Sequence, residues 1–101
     1  MSVALIVIYE GTAEDPKAFV EYYKTKHVPL IRTFPKIRQI EITPAIEEGD
    51  YLMFTRLTFD SLEDLHAALE SPQREKARAD VKNFPPFKGT MRRAVVEILP
   101  M

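Results

Sequence analysis

The chain is 101 residues and 11.6 kDa, with room for one core and none for separate catalytic and cofactor-binding domains. Fourteen Lys and Arg oppose fifteen Asp and Glu, a net charge of −1 at pH 7; without the basic excess that a phosphate backbone demands, nucleic acid is not an expected partner. There is no cysteine, which excludes disulfides, thiolate nucleophiles and thiolate metal sites. Two histidines, His27 and His66, are too few for most metal cages, so neither a metal nor a cofactor is expected.

The elements run strand, helix, two strands, helix, strand, in one domain spanning residues 1–101. Val3 to Tyr9 is short, rich in β-branched residues and closed by Glu10-Gly11, the pattern of a strand that is apolar on both faces. It is far shorter than the roughly 20 residues a bilayer requires, and no Lys or Arg precedes it as in a signal peptide. A soluble cytoplasmic protein with no membrane partner is therefore expected. Asp15-Pro16 supplies an N-cap and a proline at the first helical position. From there, at about 100° per residue, Phe19, Val20, Tyr23, His27, Leu30 and Ile31 fall within an arc of roughly 120°. Pro29 removes the hydrogen bond to the Thr25 carbonyl and crowds it, so a kink or a change of helix type is expected beside His27, before a stop at Phe34-Pro35.

Ile37, Ile40 and Ile42 mark a second strand with polar neighbours, ended by Thr43-Pro44 and the acidic turn Glu47 to Asp50; it reads as an edge strand. Tyr51 to Phe59 is again apolar on both faces, interrupted by Arg56. Ser61 and Asp64 form a capping-box pattern ahead of the stripe Leu62, Leu65 and Leu69. Ser71-Pro72 breaks that helix, and further helical turns are expected from Gln73 to about Phe84, with Ala77 and Val81 inward. Pro85 to Gly89 reads as a loop and Thr90 to Leu99 as the last strand.

Two right-handed β-α-β units in succession give a ferredoxin-like βαββαβ fold, α+β in class. Its four-stranded antiparallel sheet has the first and third strands central and both helices on one face. The other face is apolar as well, since the first strand offers both Val3, Leu5, Val7 and Ala4, Ile6, Ile8, and the third both Leu52, Phe54 and Met53, Leu57, Phe59. An apolar patch of that extent needs a cover, and a second copy in a twofold dimer is the simplest one.

His27 is the leading candidate for chemistry. It lies on the apolar helical stripe one turn after Tyr23, and its ring titrates near neutral pH, where it can act as acid, base or hydrogen-bond donor. A structural imidazole bonded to the backbone is the competing reading. Tyr22 and Tyr23 are candidate orienting phenols for a ligand, against a core role for Tyr23. Phe54 and Arg56 on the third strand are candidate ligand contacts, and Arg56 and Arg93 could hold a carboxylate, although ion pairs with Glu10, Glu41 or Glu97 are the simpler expectation. His66 reads as a surface residue, and Asp80 as a helix-end contact that could reach the pocket mouth. No glycine pattern for nucleotides and no serine elbow is present. The third strand lacks the basic and glycine positions of an RNA-stacking strand, and the acidic first turn is unfit to cradle phosphate.

Phe19-Val-Glu-Tyr-Tyr-Lys-Thr-Lys-His-Val-Pro-Leu30, followed by Phe34-Pro35 and by Ser71-Pro72 with Asp80 and Phe84, resembles the EthD family of dimeric α+β barrel proteins over nearly the whole chain. The resemblance implies a homodimer whose two sheets pack face to face, with a small-molecule pocket in each subunit between helices and sheet. It also implies His27 as the functional histidine and a link to ethyl tert-butyl ether degradation, where EthD accompanies a cytochrome P450 system. Proteins with the same barrel include cofactor-free monooxygenases, polyketide cyclases and muconolactone isomerases. Here the second strand offers Gln39 and Glu41, and no phenol partner for His27. The expected function is a cofactor-independent catabolic enzyme, an oxidoreductase, isomerase or cyclase acting on an apolar oxygenated compound; the alternative is a non-catalytic carrier or accessory protein to an oxygenase.

Overall fold

The computed structural model describes all residues, Met1–Met101. Strand β1 spans Val3–Ala13, helix α1 Pro16–Tyr22, a π-helical turn Tyr23–His27 and helix α2 Val28–Ile31. Strands β2 (Gln39–Pro44) and β3 (Tyr51–Phe59) follow, then helices α3 (Leu62–Leu69) and α4 (Pro72–Asp80), a 3₁₀ turn at Val81–Asn83 and strand β4 (Phe87–Glu97). The helix starts are set by their caps. Asp15 Oδ1 accepts the Ala18 N–H at 3.1 Å, and Ser61 Oγ the Asp64 N–H at 3.1 Å. Ser71 Oγ accepts from the Arg74 N–H at 3.3 Å while donating to the Ala68 carbonyl at 2.6 Å, so one hydroxyl ends α3 and begins α4.

The strands form one antiparallel sheet in the order β2-β3-β1-β4, with the first and third strands central and β2 at an edge, as expected. Two boundaries differ from expectation. Ile37 precedes β2, because Lys36 takes a left-handed turn (φ 64°) that delays the strand to Gln39. Strand β4 begins at Phe87, inside the expected loop, and stops at Glu97, because Gly89, Lys88 and Phe87 pair with Gly11, Thr12 and Ala13 and lengthen both strands.

Alternation divides the sheet cleanly. Val3, Leu5 and Tyr9 from β1 and Met53, Leu57 and Phe59 from β3 are buried with Phe19, Tyr23, Val28, Ile31, Leu65, Ala68 and Ala77 from the helices. The opposite face has no covering layer. There Ile6, Ile8, Leu52 and Phe54 are half-buried and Ala94 and Val96 exposed, flanked by the ion pairs Arg56–Glu41 and Arg92–Glu10.

Gly11 and Gly89 face each other across β1 and β4 with φ of +135° and +157°. A Cβ on Gly11 would lie 2.2 Å from the Lys88 carbonyl oxygen, so the crossing admits no side chain. Gly11→Ala should therefore destabilise the protein by about 3 kcal/mol, read as a lower urea midpoint at unchanged slope. Gly49→Ala, where nothing lies within 4 Å, should leave that midpoint within about 0.5 kcal/mol of wild type.

Candidate active site

The site begins with a missing donor. Pro29 has no N–H and its ring crowds the carbonyl one turn back, and the helix answers by widening: the Val28 N–H donates to the Tyr23 carbonyl, five residues earlier. This is the change of helix type expected beside His27, and such π turns recur at functional sites. It stacks Tyr23 and His27 with ring centroids 4.9 Å apart. Phe84 closes the other side of the imidazole, perpendicular to it at 4.7 Å.

The buried imidazole is held by α4. His27 Nδ1 lies 3.0 Å from Asp80 Oδ2. The other carboxylate oxygen, Oδ1, accepts from the Tyr22 hydroxyl at 2.7 Å and from Asn83 Nδ2 at 3.1 Å. With the carboxylate ionised, Nδ1 carries the proton and donates, which leaves the lone pair on Nε2. Nε2 has no protein partner and is not occluded, and His27 lines a cavity of about 80 Å³ between helices and sheet. Leu5, Val7, Tyr9, Ile31, Leu57 and Met91 form much of the apolar wall. The space is about half the ~150 Å³ that admits benzene, enough for the reacting end of a small molecule.

Burial lowers the His27 pKa below its ordinary value, and the Asp80 carboxylate opposes this without cancelling it. Burial pushes Asp80 upward, but the hydrogen bonds from Tyr22, Asn83 and His27 outweigh it and hold the carboxyl below its usual range. At neutral pH the pair is thus a neutral imidazole on an ionised carboxylate, a base poised to become an imidazolium beside a compensating charge. The Tyr22 phenol is raised, first by its bond to Asp80. Burial raises Tyr23, whose oxygen accepts from Thr55 Oγ1 at 2.8 Å, and raises Tyr9, with help from the adjoining Tyr23 phenol. All three remain protonated near pH 7.

The structure places His27 and Tyr23 in the cavity wall and separates them from other expected ligand contacts. Tyr22 does not line the cavity; it reaches the site only through Asp80. Phe54 and Arg56 lie apart from this cavity. Alternation from buried Met53, Thr55 and Leu57 turns both to the uncovered face of the sheet, where Arg56 Nε donates to Glu41 at 2.7 Å. Arg93, expected to be ion-paired, instead lines the cavity without a carboxylate partner, since it lies opposite Val7 while Arg92 takes Glu10. Val81 lines the cavity but stays 38% exposed. His66 is exposed, as expected.

Residues 12–85 match the family model of the EthD domain. The chain belongs to the EthD family. A family relative, an uncharacterised 11.0 kDa protein from the thcB-thcC intergenic region of Rhodococcus erythropolis, is 34% identical over 86 residues, 77% of this chain and 79% of that protein. Among solved structures, an ethyl tert-butyl ether degradation (EthD) family protein of Bacillus halodurans superposes with a TM-score of 0.82 at 26% identity, covering 98% of this chain and 100% of its own. Two more distant neighbours share the fold alone. One is a dimeric ferredoxin-like protein of unknown function from Bacteroides fragilis (TM-score 0.70, 18% identity, 96% of each chain). The other is SnoaB, a cofactor-independent oxygenase from Streptomyces nogalater (TM-score 0.72, 8% identity, 99% of this chain and 95% of that one). No helix is long and apolar enough to cross a membrane.

The His27 pKa is lower folded than unfolded, so its share of stability is present above the ordinary value of 6.5 and is lost as pH falls through the folded value. By NMR, the His27 ring proton should titrate below 6.5, and Asp80→Asn should move that titration lower still by removing the charge that favours the imidazolium. A midpoint at or above 6.5, or an upward move in Asp80→Asn, contradicts this account of the site.

Proposed function

We propose that this chain is a cofactor-independent enzyme that takes a proton from a small, largely apolar oxygenated compound, with His27 Nε2 as the base. One observation carries the reading: Nδ1 is held by Asp80 at 3.0 Å, while Nε2 has no protein partner and the residue lines the cavity. Asp80 fixes the tautomer and offsets the charge that forms on the imidazole; Tyr22 and Asn83 keep Asp80 ionised. Tyr23 and Phe84 hold the ring plane. Loss of a proton beside a carbonyl or on a phenol is the shared first step of cofactor-free oxygenation, isomerisation and cyclisation, and the likeness to a cofactor-independent oxygenase is in keeping with it. The family resemblance supports a catabolic setting of the kind that consumes ethyl tert-butyl ether.

The working unit in this reading is a homodimer, with a second copy over the uncovered face. The apolar residues Ile6, Ile8, Phe54 and Val96 on that face support it, as does the dimeric Bacteroides neighbour.

Proton abstraction is testable without the natural substrate. Hydrogen–deuterium exchange at the acidic carbon of cyclic ketones such as 2-tetralone, followed by NMR, should be faster with the wild type than with His27→Gln by a factor on the order of 10² to 10⁴. The rate should rise with pH through a limb below 6.5. A His27→Gln variant that exchanges as fast as wild type sinks the enzyme reading. Binding without exchange by either form turns it toward a carrier serving an oxygenase. Separately, light scattering should report twice the 11.6 kDa chain mass, and Ile6→Lys should halve it by placing a charge in the middle of the covered face; a wild-type monomer at micromolar concentration refutes the dimer.

A further inference from the structure

The cavity above His27 is apolar on its sheet side and cationic on the side formed by α4 and β4. Arg74 and Arg78, one turn apart on α4, and Arg93 on β4 all line it. Elsewhere three of the four arginines are matched with carboxylates, Arg38 with Asp60 at 2.9 Å, Arg56 with Glu41, and Arg92 with Glu10 at 3.1 Å, and the fourth, Arg32, stands exposed on the surface. At the cavity the matching stops. Arg78 meets only Glu75, at 3.6 Å on an exposed helix surface, an arrangement that contributes little. Arg74 and Arg93 have no carboxylate partner at all. One Arg74 nitrogen, Nη1, donates to the Leu69 carbonyl at 3.2 Å, which tethers the guanidinium without neutralising it. The nearest acid on the same helix that belongs to the site, Asp80, is committed to Tyr22, Asn83 and His27.

Arg74 and Arg93 also line a second, open depression of about 370 Å³ that shares Leu5 and Leu69 with the first. They therefore stand where the inner cavity opens to the outside. Like charges gathered at a low-dielectric cleft raise the local concentration of anions and repel one another until an anion arrives. Burial and the neighbouring Arg93 and Arg78 charges make Arg74 a weaker base than usual, and the nearby Glu75 charge opposes this without cancelling it, which agrees with a remaining demand for negative charge at this point.

We propose that Arg74 and Arg93 form a carboxylate clamp at the mouth of the His27 cavity, so that the compound taken by this site is an organic acid with its charged head between the two guanidinium groups and its carbon framework directed inward. The forked donors of arginine suit a planar carboxylate in two-point contact. The clamp rests on the proposed proton-transfer role only for where the framework ends, beside Nε2; the binding of the acid stands or falls independently of that role.

The test is calorimetric titration of the full-length protein with propionate, whose short chain the inner cavity can take, and benzoate, whose ring the open depression can hold, each beside its neutral amide and beside inorganic phosphate. Both acids should saturate, more weakly at high salt, and bind at least tenfold tighter than their amides. Arg93→Gln and Arg74→Gln should each weaken acid binding about tenfold and leave the amides unchanged. Arg92→Gln, on the uncovered face, removes the same charge and should alter neither. The variants' melting curves serve as the check on folding. Amides binding as tightly as acids, Arg92→Gln weakening binding as much as Arg93→Gln, or no saturable binding of either acid overturns the clamp. Phosphate binding as tightly as benzoate and competing with it overturns the assignment to a carboxylate. In His27→Gln the preference for acid over amide should persist whatever happens to the absolute affinity, so loss of proton exchange with that preference kept separates the two proposals.

Discussion

One absent backbone N–H governs the geometry of this site. Because Pro29 cannot donate to Thr25, the helix widens into a π turn, and the first and last residues of that turn, Tyr23 and His27, face the cavity. A regular helix through this stretch would rotate everything before the proline relative to everything after it. Phe19 and Tyr23 reach the sheet on one side of the irregularity and Val28 and Ile31 on the other; the π turn lets both groups bury while the imidazole points between them.

Burial then decides the chemistry. In water an imidazole is half protonated near pH 6.5 and its two nitrogens exchange roles freely. Enclosed by Tyr23 and Phe84, it loses solvation and turns neutral; bonded to Asp80, it loses the freedom to swap tautomers. The two effects pull its affinity for protons in opposite directions; burial prevails and keeps the ring neutral, while the carboxylate favours the imidazolium once a proton arrives. Tyr22 and Asn83 matter because an unsupported buried carboxylate would protonate itself and release the ring.

Much of this was legible in the sequence because it is local. Asp15-Pro16, Ser61 and Ser71-Pro72 cap helices through contacts three residues away, and Pro29 acts on its own turn. The two-faced apolar pattern of the first and third strands is a period-two signal, and it located the sheet and its central strands; which of the two alternating sets faces the helices had to come from the structure. What failed to show was non-local. Asp80 meets His27 across 53 residues, so its position in the sequence suggests a helix-end contact or a place near the pocket mouth, without naming His27 as its partner. The meeting of Gly11 and Gly89 needs the β1–β4 register, which extends β4 into a stretch whose Pro85-Pro86 speaks for a loop. Arg92 and Arg93 are adjacent and of equal charge, yet alternation sends one to the uncovered face and the other to the cavity; a strand register is needed to tell which. That Arg56 and Phe54 share the face opposite Met53 follows from counting alternation along the strand.

Because the base and its carboxylate come from opposite halves of the polypeptide, a chain emerging from the ribosome holds His27 long before Asp80 has been made. Until the second helical pair docks, the imidazole is an ordinary solvated side chain with both tautomers open to it. Reactivity is thereby switched on by completion of the fold, and a truncated or incompletely assembled product carries the histidine without its capacity to act.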